Sequence, residues 1–226
     1  MNKMKSKFQI YADFDGTISI TDVGDKMFEK FTNFGCREIL QDWLSGKIGS
    51  KEYYIRTCKI AKMTEQKLLD FCAQQKIDEC FKTFVAYCRI KNYPVSVLSD
   101  GMDNYIKPIL SQNDFQYLNI YANRLLFKRN GKIEPHFPYY EKGCLRCANC
   151  KGAIIKEFRH DGKKVVYVGD GLSDLCALPE ADIIFAKDDL KKYCLEQNIQ
   201  HYEFIDFCDL LEQFKAIETK ITLENA

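Results

Sequence analysis

A chain of 226 residues, 46% of them hydrophobic, is long enough to bury one large domain or one domain with a smaller insert. Its formal net charge of +1 gives no electrostatic footing for nucleic acid or an anionic membrane surface. No apolar run reaches the roughly 18 residues of a membrane span, and the polar opening 1–7 runs into only a short strand, so no span or secretory leader is expected and the chain reads as cytoplasmic. Eleven cysteines, an odd number spread along the chain, fit a reducing compartment and small buried side chains better than a disulfide framework.

The first apolar run, 8–12, predicts a buried strand that ends on Asp13-Phe14-Asp15-Gly16-Thr17. From there the pattern turns helical. Met27, Phe28, Phe31 and Phe34, then Ile39, Leu40, Trp43 and Leu44, recur at helical spacing, punctuated by Gly35, Gly46 and Gly49. Ser50 reads as the N-cap of a helix over 51–62, and Thr64 opens another that includes 67–74. Phe81, Phe84, Val85 and Cys88 give one more amphipathic face, which Tyr93-Pro94 stops. Five helices between two strands exceed an ordinary crossover. Residues 22–92 are therefore expected to form a helical cap over an α/β core made of 1–21 and 93–226.

After Pro94 the pattern alternates as in βαβ units: a strand at 95–98, a helix at 102–110, a strand at 118–122. Strands at 124–127 and 132–135 flank Asn130-Gly131, a two-residue hairpin signal. Residues 136–149 read as a loop, and a helix follows Lys151. The strongest strand, 165–168, comes next, then a strand at 181–186 and helices at 190–197 and 207–214, with a polar tail fraying after Thr219. The expected fold class is α/β with a Rossmann-like parallel sheet.

Two carboxylates one residue apart at a strand end are poorly explained by folding, because burying both costs several kcal/mol each unless they are paired or metal-bound. Ser99-Asp100-Gly101 and Gly169-Asp170-Gly171-Leu172-Ser173-Asp174 also follow apolar strands, and Lys151 opens a helix that reaches the same edge. In a parallel sheet that edge is where ligands bind.

In order and residue type, these four sites resemble the signature of the haloacid dehalogenase (HAD) superfamily of aspartate-nucleophile phosphatases, over most of the chain. The set is specific, whereas a lone serine or lysine would carry nothing. Within the superfamily the chain looks like the phosphoserine-phosphatase-like branch. Leu98-Ser99-Asp100-Gly101-Met102-Asp103, the cysteine-rich run ending in Cys150-Lys151, and Phe185-Ala186-Lys187-Asp188 look most like the methylthiopentenyl-1-phosphate phosphatases of methionine salvage, with phosphoethanolamine/phosphocholine phosphatases next.

The resemblance implies a Mg2+-dependent phosphatase of small phosphomonoesters. Asp13 would be the nucleophile and form an aspartyl phosphate; Asp15 would serve as general acid and then base. Asp13, Asp170 and the Asp15 main-chain carbonyl would hold Mg2+, with Asp174 behind them on Lys151 or a metal-bound water. Ser99, the amides of Asp100 and Gly101, and Lys151 would bind the phosphoryl oxygens, near a helix start that adds its dipole. Asp100 stands where the pattern often has glycine, so it either meets a positively charged substrate or caps the helix from Met102. Asp22 stands where the phosphoserine enzymes use a glutamate for the substrate amine, and its shorter side chain weakens that reading. Arg56 is open between a substrate carboxylate or carbonyl and the surface. A phosphotransferase would use the same Asp13, whereas a non-catalytic binding module would usually have lost Asp13, Asp15 or Lys151.

Cys144, Cys147 and Cys150 form a C-x2-C-x2-C run that can chelate zinc, but a closed site wants four ligands and His136 is the only nearby histidine. Free thiols, a metal and redox pairing all stay open.

Overall fold

Strand β1 (Phe8–Ala12) is buried along its whole length, as a central strand of a parallel sheet must be when helices cover both faces. In the computed structural model, which describes residues 7–224, it pairs in parallel with β2 (Val95–Met102) on one side. Outward from β2 lie β3 (Asn119–Phe127) and the antiparallel β4 (Ile133–His136). On the other side lie β5 (Lys164–Gly169), β6 (Ile183–Ala186) and β7 (Tyr202–Glu203), all parallel. The order is β4-β3-β2-β1-β5-β6-β7. Strand order reverses at β1, so the carboxyl ends of β1, β2 and β5 open on one crevice.

Strand periodicity sorts the core into two layers. Phe8, Ile10, Ala12, Val97 and Val166 face one side, while Tyr11, Leu98, Val165 and Tyr167 face the other. Between β1 and β2 come α1 (Val23–Thr32), α2 (Arg37–Leu44), α3 (Ser50–Ile60), α4 (Glu65–Cys72) and α5 (Phe81–Ile90). α6 (Asp103–Gln112) and α9 (Phe207–Glu224) join the first layer, and α7 (Lys151–Phe158) and α8 (Asp188–Glu196) the second. The backbone at Asp13 stays extended (φ −65, ψ 161), so alternation turns its side chain to the Tyr11 side, where α7 begins.

α5 behaves differently from the four helices before it. Phe81 and Phe84 put their rings 4.8 and 5.3 Å from that of Phe207, so α5 covers the sheet beside α9. Asp78 accepts from the Phe207 amide at 3.0 Å and brings the starts of α5 and α9 side by side. Cys80 and Cys208, at those starts, are disulfide-bonded. That pair departs from the expectation of small buried thiols, which describes Cys36, Cys58, Cys72, Cys88 and Cys194.

Local expectations shifted in identifiable ways. The N-cap of α3 is Gly49; Ser50 is already helical, and its hydroxyl accepts from the Trp43 indole at 3.1 Å. The two strands read at 118–122 and 124–127 are one, β3. The turn after it is a three-residue loop: the Gly131 amide donates to the Lys128 carbonyl at 2.9 Å, with Gly131 left-handed at φ 76. β7 is two residues long, too short for a pattern. α9 continues past Thr219 to Glu224 instead of fraying. The polar opening at 1–7 lies, apart from Lys7, outside the described residues. Among the described residues no helix is long and apolar enough to cross a membrane.

Candidate active site

At the end of β1, Asp13 is 4% exposed. Its Oδ1 accepts from the Phe14 amide at 2.7 Å, and its Oδ2 faces Lys151 Nζ at 2.8 Å. Lys151, the first residue of α7, is fully buried and reaches Asp174 Oδ1 at 2.5 Å and Ser173 Oγ at 3.1 Å. A buried ammonium persists only when such partners replace its water. Burial alone would lower its pKa, but the carboxylates of Asp13 and Asp174 outweigh burial and push it up. Burial pushes the Asp13 carboxyl well above the usual range; Lys151 opposes, and Asp174, Asp170 and Asp15 add to the rise.

Gly16 makes the approach of Asp170 possible. It is left-handed at φ 71, and a Cβ there would stand 2.4 Å from Asp170 Oδ2. Thr17 donates to Asp170 Oδ1 at 2.5 Å. Burial first, then Asp174, lifts Asp170 to about 7, against the Thr17 hydrogen bond. The chain reverses over Phe14–Ile18, which carries Asp15 to the opposite side of the crevice. There Oδ1 accepts from the amides of Val23 and Gly24 at 3.0 and 3.1 Å, and Oδ2 from Tyr105 at 2.5 Å. Ser99 Oγ is 3.5 Å from that same oxygen. Burial, then the Asp22 charge, raises Asp15 to about 7, while the hydrogen bonds from Tyr105, Gly24 and Val23 hold it down.

One-atom oxygen donors of Asp13, Asp170 and Asp174 lie within 4.8 Å of one another. Asp174 is already engaged: Oδ2 accepts from the amides of Asp170 and Gly171, both at 2.9 Å, and Oδ1 from Lys151 and Tyr167. Asp13 and Asp170 therefore remain as hard oxygen ligands, in a crowd of carboxylates with one buried ammonium, and a divalent ion such as Mg2+ fits that donor set.

A cavity of about 100 Å³ lies above these groups. Its sheet side is formed by Asp13, Asp15, Ser99, Asp100 and Gly101, and its far side by α1–α3, through Asp25, Phe28, Trp43, Tyr53 and Tyr54. Asp22, exposed and capping α1 by accepting from the Asp25 amide at 2.7 Å, also lines it. Asp100 does not cap α6, whose N-cap is Met102. Its Oδ1 accepts from the Asn149 amide at 2.6 Å, tying β2 to the loop that ends at Lys151. The Gly101 amide donates to Ser99 Oγ at 2.9 Å, and Ser99 through Gly101 are still in β2, so the helix start is further on than expected. Arg56 is not brought to the site. It is exposed on α3, paired with Glu52 at 2.6 Å and Asp42 at 3.7 Å.

Tyr105, Asp25, Tyr53 and Tyr54 carried no signal in the sequence, because only the rotation of their helices aims them at the cavity. Ser173 sat inside a stretch already singled out.

Over residues 10–219 the chain matches the model of the family described as Putative Phosphatase. The chain belongs to this phosphatase family. The 2-hydroxy-3-keto-5-methylthiopentenyl-1-phosphate phosphatase of Bacillus pumilus (strain SAFR-032) is 29% identical over 213 residues, covering 92% of this phosphatase and 91% of that one. Pdp3-interacting factor 1 of Schizosaccharomyces pombe (strain 972 / ATCC 24843) is 27% identical over 226 residues, covering 94% and 97%. A solved structure described as a phospho-aspartyl intermediate analogue of phosphoserine phosphatase shares the fold of this phosphatase with a TM-score of 0.71 at 20% identity, covering 94% and 99%.

Proposed function

We propose that this phosphatase hydrolyses a small-molecule phosphomonoester in the cytoplasm, through an aspartyl phosphate on Asp13 and with Mg2+ as cofactor. The observation that carries this reading is the meeting of Asp13, Asp15, Ser99, Lys151 and Asp170, from four distant segments, at one sheet edge, where Asp13, Asp15 and Ser99 line the cavity and Lys151 and Asp170 stand directly behind them. Asp13, fixed by the Phe14 amide and Lys151, attacks phosphorus in line; the new P–O bond forms as the ester P–O bond breaks. Asp15 gives a proton to the departing alkoxide, then takes one from the water that attacks the aspartyl phosphate, and inorganic phosphate leaves. Lys151 and the Ser99 hydroxyl neutralise and orient the phosphoryl oxygens. Asp13, Asp170 and the Asp15 carbonyl would hold Mg2+, which supplies further charge neutralisation at the phosphate.

The inserted segment 22–92 acts as the cap, with α1–α3 closing over the substrate and α5 serving the sheet. The name of the Bacillus pumilus relative supports a methylthiopentenyl-1-phosphate as substrate, its apolar tail against Phe28, Leu40 and Trp43. A second reading, phosphocholine or phosphoethanolamine, is favoured by the lining itself: five aspartates, three of them Asp22, Asp25 and Asp100, beside Trp43, Tyr53 and Tyr54. Such a lining suits a cation. Phosphoserine comes third, since its carboxylate would face these acids.

The test is free-phosphate release from a panel of phosphorylated metabolites. Asp13→Asn is expected to lower release by about 10³-fold or more, and EDTA to abolish it until Mg2+ is restored. Near-normal turnover by Asp13→Asn would overturn the mechanism, and a phosphorylated second alcohol in place of free phosphate would identify a phosphotransferase.

A further inference from the structure

Four thiols meet beside the start of α7. Cys144, Cys147 and Cys150 come from the loop before it, and Cys176 from the 3-10 stretch Leu172–Glu180. All four sulfurs lie within 4.8 Å of one another. The Cys144–Cys147, Cys147–Cys176 and Cys176–Cys144 separations are 3.5, 3.7 and 3.9 Å. A tetrahedral zinc site with Zn–S bonds of about 2.3 Å has sulfur–sulfur edges of about 3.8 Å. The observed spacing is that of ligands around one ion, and is far beyond the roughly 2.05 Å of a disulfide.

We propose that Cys144, Cys147, Cys150 and Cys176 bind one structural Zn2+ ion. Binding forms four Zn–S bonds and releases the thiol protons to solvent. With four protein ligands the tetrahedron is closed, so the ion holds structure and has no position for substrate. The surroundings are built for thiolates. The Cys147 amide donates to Cys144 Sγ at 3.5 Å. Two glycines allow the close approach: a Cβ on Gly143 would stand 2.4 Å from Cys150 Cβ, and one on Gly152 would stand 2.1 Å from the Cys176 carbonyl oxygen. His136, the histidine nearest in sequence, is instead exposed in β4, opposite Arg124 in the β3–β4 ladder, and does not belong to the cluster. The fourth ligand is a thiol 26 residues beyond Cys150, outside any C-x2-C spacing.

The location gives the ion a purpose. Cys150 directly precedes Lys151, and Cys176 follows Asp174 by two residues. The ion therefore clamps together the two segments whose side chains form the buried Lys151–Asp174 pair at 2.5 Å.

The reduced full-length protein, loaded with Zn2+ alone and desalted, should retain one zinc per chain by elemental analysis. Co2+ loading should give intense sulfur-to-cobalt charge-transfer bands and tetrahedral d–d absorption. Cys144→Ser, exposed and therefore tolerant of change, and Cys176→Ser should lose both the stoichiometric zinc and the charge-transfer bands; Cys194→Ser, a buried thiol elsewhere, should keep them. Asp13→Asn should lose turnover and keep the cobalt spectrum, which separates this site from the catalytic reading. A weak octahedral cobalt spectrum in the wild-type protein, or zinc retained equally by the Cys144→Ser and Cys176→Ser variants, would overturn the proposal by placing the metal on the carboxylates.

Discussion

Lys151 shows how one residue can be worth more than its neighbours. Its side chain is fully buried between Asp13 and Asp174, whose side chains are 6% and 0% exposed. Removing one partner of such a cluster leaves unpaired charge in a dry site, which costs about 3–5 kcal/mol. Lys151→Met should therefore lower the melting temperature by an amount on the order of 10 °C in a chain of this size, besides losing turnover; a melt within a degree or two of wild type would mean the carboxylates are not relying on it. Tyr105 is the opposite kind of residue, necessary to one atom. Its hydroxyl holds Asp15 Oδ2 at 2.5 Å while its ring packs on Phe14. Tyr105→Phe keeps the ring, so kcat should drop by about 10-fold or more with the melting temperature and KM little changed. The sequence made Lys151 legible and Tyr105 not. Lysine belonged to an ordered set of letters at strand ends, whereas the tyrosine acts through where α6 points, which no spacing records. Asp100 fell between: its acid was conspicuous, but its bond to the Asn149 amide depended on a loop without periodicity.

At the scale of elements, α9 is tied to the sheet by more than its apolar face. Glu218, 8% exposed, accepts from Tyr93 at 2.6 Å, from Tyr87, and from Lys91 at 3.0 Å. Burial works to raise its pKa, but those three donors outweigh it and hold the carboxyl below its ordinary 4.5. A depressed carboxyl stabilises the fold above its unfolded pKa and loses that contribution as pH falls through the folded one. Glu218→Gln should thus cost about 1–3 kcal/mol near neutral pH, chiefly from the tyrosines, since Lys91 is 40% exposed and its pair is screened. The gap in melting temperature between variant and wild type should narrow as pH drops below 4.5; a gap that stays constant into acid would show that the charge is not what matters. The same helix was read too short, because its last turns are polar and its partners, Tyr87 and Lys91 of the α5 end, lie more than a hundred residues back. Strands with apolar runs, β1, β2 and β5, were legible; β7 pairs at Phe185–Tyr202 and Ala186–Glu203 alone and leaves no pattern.

For the molecule as a whole, the parallel sheet and its crossovers follow from alternating apolar runs, and the insert from a helical stretch too long for a crossover. What the runs did not contain is the face each inserted helix turns to the sheet edge, where α1–α3 line the cavity. Five aspartates and no lysine or arginine line the cavity among the described residues. Two unit charges about 4 Å apart interact by about 1 kcal/mol even in water, and by more in an enclosed site. A substrate carboxylate facing Asp22 and Asp25 should consequently lose about 10-fold or more in kcat/KM against an otherwise similar phosphomonoester with a neutral or cationic tail. Phosphoethanolamine and phosphoserine make that comparison, since they differ by a single carboxylate. Asp22→Asn with Asp25→Asn should shrink the ratio toward unity mainly by raising kcat/KM for phosphoserine, as expected when repulsion is removed from a tail that takes no part in the chemistry. Equal use of both esters by the unaltered enzyme would mean that these carboxylates do not face the tail, and the assignment of α1–α3 as the selecting surface would fall with them.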